Sequence, residues 1–121
     1  MSTDTLMFTA SEHGQAVHAK VKEFIETQIE PIEAQFWADC HAQNPDGDWT
    51  KWHWPEKYES LRKQAREAGL WNLFLPDDKL GAGLSVTDYA PIAELTGRSL
   101  LAPYVFNCNA PDSGNMELLG R

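Results

Sequence analysis

Few residue types in this chain are arranged as chemistry would need them. Gly81-Ala82-Gly83 is a glycine-rich turn that could cradle a phosphate. It follows neither the G-x-G-x-x-G pattern after a strand nor G-x-x-x-x-G-K-[ST]. A turn needing positive φ accounts for its glycines equally well. The histidines are His13, His18, His41 and His53. His13 and His18 stand five apart, not at the i, i+4 spacing of a helical metal pair, and no H-E-x-x-H occurs, so no metal site is expected. Ser85, Ser99 and Ser113 lack the G-x-S-x-G elbow that exposes a nucleophile. Most carboxylates lie on inferred polar helix faces, where they are solvated. Glu94 differs: flanked by Ile92-Ala93 and Leu95, it is expected to be partly buried and paired with Arg98 at i+4, a structural role. Trp49, Trp52, Trp54 and Trp71 could stack on a ligand ring. The favoured reading is packing, because aromatic area dominates core energetics. No catalytic residue is expected in this chain.

The elements that would position these residues are helical. Thr9 with Glu12 matches a capping box. Behind it Val17, Val21, Phe24, Ile25, Ile29, Ile32 and Phe36 form one apolar stripe of period 3.6. Pro31 interrupts the stripe, as a kink or as the first residue of a second helix. Asn44-Pro45-Asp46-Gly47 is a turn signal. Pro55 opens the next helix, which presents Tyr58, Leu61, Ala65 and Ala68 on one face and stops at Gly69. Leu70-Trp71-Asn72-Leu73-Phe74-Leu75, closed by Pro76, is a buried connector or a brief strand. Ser85 or Thr87 caps the helix after the glycine turn. Thr87 is preferred, because it places Pro91 in the first turn, where no donor is lost. A segment from about Ser99 to Cys108 follows, with Pro103 bending it. Pro111-Asp112-Ser113-Gly114 is a turn, and Asn115 to Leu119 begins a helix that is unfinished at Arg121. That pattern suggests truncation. The expected fold class is an all-α helical bundle, one domain over residues 1–121.

Composition narrows the partners. The chain is 42% hydrophobic and 23% charged, ordinary for a globular domain, and 121 residues suffice for one core. A net charge of −8 repels phosphate backbones, so nucleic acid is not expected. The same charge disfavours unaided capture of coenzyme A, which would need a local basic pocket or another domain. No apolar run approaches the ~18 residues of a membrane span. No basic residue precedes Lys20, which argues against a signal or transit peptide. Cys40 and Cys108 form no C-x-x-C pair, and both are expected to stay reduced in a cytoplasmic setting.

Taken in order, Ile29-Glu30-Pro31, Ala68-Gly69-Leu70, Leu75-Pro76, the glycine turn, Glu94-Leu95 and Gly97-Arg98 resemble the N-terminal helical domain of acyl-CoA dehydrogenases. Ala102-Pro103, Phe106-Asn107-Cys108 and Ala110 to Glu117 resemble the long- and branched-chain branch that includes the human members ten and eleven. One departure is Leu80-Gly81-Ala82-Gly83, where many members have an aromatic followed by two glycines. The resemblance implies a larger protein with this α-bundle, a middle β-domain and a C-terminal α-bundle, FAD as cofactor, and assembly as a homo-oligomer. It implies oxidation of an acyl-CoA to a trans-2-enoyl-CoA. A carboxylate base takes the α-proton and the flavin receives the β-hydride, both supplied by regions absent here. This chain alone is then expected to be inactive and to bind no FAD. The segment Ala102 to Cys108 resembles the helix that walls the acyl tunnel, which makes Tyr104, Phe106 and Asn107 the substrate-pocket candidates. The competing expectation is a stand-alone, non-catalytic helical binding or scaffold module derived from the same domain.

Overall fold

The computed structural model describes residues 9–48, 50, 53–75, 79–108, 115, 118 and 119. Among them the secondary structure is helical throughout, with no strand. Helix α1 spans Glu12–Phe24. A π-helical turn, Ile25–Ile29, and a 3₁₀ turn, Glu30–Ile32, lead into α2, Glu33–Gln43. A 3₁₀ turn over Glu56–Tyr58 precedes α3, Glu59–Glu67. Helices α4, Val86–Thr96, and α5, Ala102–Val105, complete the set. Asn115, Leu118 and Leu119 are also helical. The expected turn at Pro111 to Gly114, and most of the last helix, lie outside the described residues.

The apolar stripe is the seam of the core. Val17, Val21, Ile25, Ile29, Phe36 and Cys40 are all buried, in one cluster with Leu61, Ala65, Leu70, Ile92 and Leu101. The stripe continues through Pro31 because the backbone rewinds there. Proline has no N–H, so the α-ladder must break. The Glu30 N–H reaches back five residues to the Ile25 carbonyl, a π turn in place of a sharp kink. Along the chain α1 packs on α4, and α3 packs on α5.

Two expected caps are replaced. Helix α1 is capped by Ser11, not Thr9, and its hydroxyl accepts from the Gly14 N–H at 3.1 Å. Helix α4 is capped by Ser85, not Thr87. The reason is Asp88. Its N–H donates to Ser85 Oγ at 3.1 Å, and its carboxylate accepts from the Ser85 N–H at 3.3 Å, the Ser11 N–H at 2.7 Å and the Ser11 hydroxyl at 3.0 Å. One carboxylate thus caps both helices, which outweighs the single ladder bond lost where Pro91 sits inside α4. Helix α3 ends as expected at Gly69, with φ +76°. The Leu70 N–H reaches Ala65 O and the Gly69 N–H reaches Arg66 O, a Schellman motif. Ala68 is exposed rather than on the buried face.

The Glu94–Arg98 pair does not form. Glu94 is exposed. Arg98 instead bridges to the turns that follow α1, 3.4 Å from Glu26 and 2.8 Å from Glu30. The fold sets this carboxylate pair in front of the guanidinium, and two partners across the interface outcompete one along the helix. Leu70–Leu75 is a turned connector, with Leu70, Leu73 and Leu75 buried. Among the described residues no helix is long and apolar enough to cross a membrane.

Candidate functional site

Helix α5 is too short to hold itself in place, and both of its ends are tied by side chains. At its start, Ser99 Oγ accepts from the N–H groups of Leu101 and Ala102 at 3.1 and 3.3 Å. The Ser99 hydroxyl donates to Glu33 at 2.9 Å, and the Leu100 N–H meets the same oxygen at 3.1 Å. At its end the chain passes through Asn107 at φ +55°. The Cys108 N–H closes back on Pro103 O at 2.8 Å. Asparagine here takes the left-handed position that usually falls to glycine at a helix stop.

Tyr104 and Asn107 meet around Arg62 of α3. The guanidinium lies over two rings, 5.0 Å from the Trp71 centroid and 4.8 Å from that of Tyr104. Its Nη2 donates to Asn107 Oδ1 at 3.0 Å, and Nη1 lies 3.6 Å from Glu59. Its Nε is buried with no hydrogen-bond partner among the described residues. The Tyr104 ring continues the stack onto Trp54, with centroids 4.0 Å apart and planes at 19°, and Trp54 stacks in turn on Phe36. Arg66 lies 5.2 Å from the Trp71 ring. The result is a column of rings and guanidinium groups running from the core to the α3 surface. Trp54 and Trp71 are therefore packing residues, as expected, while Trp49 and Trp52 lie outside the described residues.

Phe106 takes a different direction. It is buried edge-on against Phe24 of α1, with centroids 5.5 Å apart. Only its backbone joins the polar cluster: its carbonyl accepts from the Asn72 N–H at 3.3 Å. The Val105 carbonyl beside it accepts from the Trp71 indole at 3.1 Å.

The electrostatics favour holding over proton transfer. The Tyr104 hydroxyl donates to Glu59 at 2.7 Å. Burial, and then the Glu59 carboxylate, push its pKa up to about 12. At neutral pH the phenol keeps its proton, so the tyrosine is not set up as a base. Nearby, Tyr89 meets Cys108 Sγ at 3.0 Å, and burial followed by that thiol raises its pKa as well. Neither cysteine is disulfide-bonded; Cys40 lies in the core and Cys108 is half-buried. Among the described residues no group of three His, Cys, Asp or Glu side chains gathers to hold a metal.

The glycine turn packs tightly against the connector before it. A Cβ on Gly81 would strike the Leu75 carbonyl oxygen and approach that of Asn72 to 2.7 Å. Glycine is needed there because the chain closes on itself. The turn is further tied by His13, whose ring meets Ala82 O at 2.7 Å. Arg62 and Asn72 are the residues that sequence reasoning passed over. Arg62 reads as one more charge on an exposed helix face. Asn72 carries a weak signal, since asparagine favours the left-handed region.

No protein-family profile matches the chain. Individual relatives do. Acyl-CoA dehydrogenase family member 11 of Rattus norvegicus is 47% identical over 113 residues, 93% of this chain and 14% of the relative. Family member 10 of Mus musculus is 39% identical over 87% of this chain. A Mycobacterium abscessus structure assigned as an acyl-CoA dehydrogenase superposes with a TM-score of 0.81 at 50% identity, over 94% of this chain and 29% of that one. The chain belongs to the acyl-CoA dehydrogenase family. Its all-helical architecture agrees with the helical domain that the motifs implied. The chain spans about a seventh of the length of member 11, so most of the relative's sequence has no counterpart here.

Proposed function

We propose that this chain is the N-terminal helical segment, residues 1–121, of an FAD-dependent acyl-CoA dehydrogenase that oxidises acyl-CoA to trans-2-enoyl-CoA. In that protein it supplies acyl-pocket wall and packing, while the catalytic base and the flavin site belong to the middle and C-terminal domains and a neighbouring copy in a homo-oligomer. The observation that carries this reading is the 50% identity and 0.81 TM-score over 94% of the chain, matched to less than a third of a solved relative. The tight hold on α5 from both ends supports a wall role. Half-buried Asn107 meets the substrate chain directly, and buried Tyr104 and Phe106 shape the wall from behind. The kinship with members 10 and 11 favours long or branched acyl chains.

Two measurements test the reading. The native gene product should be several times heavier than the 13.6 kDa of this chain. With an electron acceptor it should oxidise acyl-CoA, while the isolated chain supplied with FAD should not. Sustained turnover by the isolated chain, or a native product of its own mass, overturns it.

A further inference from the structure

Arg62 reaches the candidate wall at two points. Its guanidinium touches Tyr104 through the ring face and Asn107 through a hydrogen bond, 45 residues away in sequence. Asn107 passes the constraint on, since its amide donates to Asn72 Oδ1 at 2.8 Å. Asn72 in turn holds the Phe106 carbonyl, and its own amide donates to Leu80 O at 3.1 Å. All three wall candidates are thus referred to one guanidinium. That group lies over two rings, 5.0 Å from the Trp71 centroid and 4.8 Å from that of Tyr104. A planar, stacked fork fixes direction as well as distance, which an ammonium cannot do.

We propose that Arg62 is a positioning residue for the acyl pocket: it sets the depth and direction of the Tyr104–Asn107 wall and so the acyl-chain preference. This rests on the acyl-CoA dehydrogenase reading. Arg62 touches no substrate in this scheme and acts through Asn107 and Tyr104.

The test uses the full-length enzyme and a series of straight and branched acyl-CoAs. Arg62→Lys keeps the charge and loses the planar fork. It should raise KM for the preferred chain by about tenfold, lower kcat by much less, and shift the chain-length optimum. Arg62→Gln, which removes the fork and leaves Asn107 and Tyr104 in place, should shift the optimum in the same direction, and it decides the matter should the lysine variant not fold. Lys63→Ala, one residue along α3 and exposed, is the control with wild-type behaviour. An unchanged profile of KM against chain length in Arg62→Lys, or in Arg62→Gln when the lysine variant cannot be folded, overturns the proposal. So does an equal fall of kcat for every substrate with a lowered melting temperature, which marks a merely structural role. A wild-type enzyme that oxidises no acyl-CoA defeats the functional reading instead. The Arg62 inference is then decided by crystal structures of wild type and variant, where an unmoved Tyr104–Asn107 segment sinks it.

Discussion

Asn72 and Asn107 are both held in left-handed backbone, at φ +54° and +55°, and their side chains bond to each other at 2.8 Å. Each asparagine stops a local run of chain, and each supplies the other's polar partner. Left-handed backbone costs a side-chain-bearing residue roughly 1–2 kcal/mol, and asparagine tolerates it best after glycine. Asn107→Ala keeps the strain and removes the bonds to Arg62 and Asn72, so it should destabilise by about 2–3 kcal/mol. Asn107→Gly relieves the strain and should recover about 1 kcal/mol of that loss. Urea unfolding of the three proteins checks the order.

Gly14 sits where α1 meets α4. A Cβ there would lie 2.6 to 2.8 Å from the Asp88 side chain, which three hydrogen bonds hold in place. Helix propensity favours alanine by about 1 kcal/mol, and overpacking opposes it by about 1–3 kcal/mol. Gly14→Ala should therefore lower the melting temperature. In an Asp88→Gly background, where the Cβ, Cγ and Oδ1 that block it are all gone, the same change should raise it. A double-mutant cycle with no coupling between the two sites would refute this account.

Phe36 is the hub of the aromatic column, with Trp37 4.9 Å, Tyr58 5.0 Å and Trp54 5.6 Å from its ring. Phe36→Ala should cost about 3–5 kcal/mol, measured by denaturant unfolding. Arg98→Ala removes two ion pairs but should cost under about 1 kcal/mol, because that side chain is 42% exposed and its charges are screened. Salt should narrow the arginine effect and leave the phenylalanine effect unchanged.

All three tyrosines resist ionisation. Burial comes first in raising Tyr58, Tyr89 and Tyr104 above the ordinary 10.0, followed by Asp39, Cys108 and Glu59 in turn. A folded pKa above the unfolded one stabilises the fold below the unfolded value, and the gain is lost as pH rises through the folded value. Stability should therefore fall between about pH 10 and 12, and tyrosinate absorbance of the native protein should lag behind that of the unfolded chain. The acid side runs the other way. Lys57, Tyr58 and Gln35 hold Asp39 at about 2, below 3.8, so its contribution is complete above pH 3.8 and disappears as pH falls through 2. Asp39→Asn should flatten the acid limb of the stability profile.

The sequence by itself determined the helices, the buried face and the family. The apolar stripe from Val17 to Phe36, the stop at Gly69 and the turn at Gly47 all follow from short-range preferences, which a chain expresses whatever its neighbours do. The motif order from Ile29 to Cys108 was enough to indicate acyl-CoA dehydrogenases. Tertiary structure decided which of several equivalent local options was taken. Ser11 and Ser85 won over Thr9 and Thr87 because a single carboxylate, 77 residues from Ser11, could satisfy both helix ends at once. Arg98 turned from Glu94 to Glu26 and Glu30, 72 and 68 residues back, and Arg62 found Asn107 across 45. Such bonds carry no local trace, since each partner alone is an ordinary polar residue on a helix or turn. They form only once burial of the apolar stripe has brought those surfaces together.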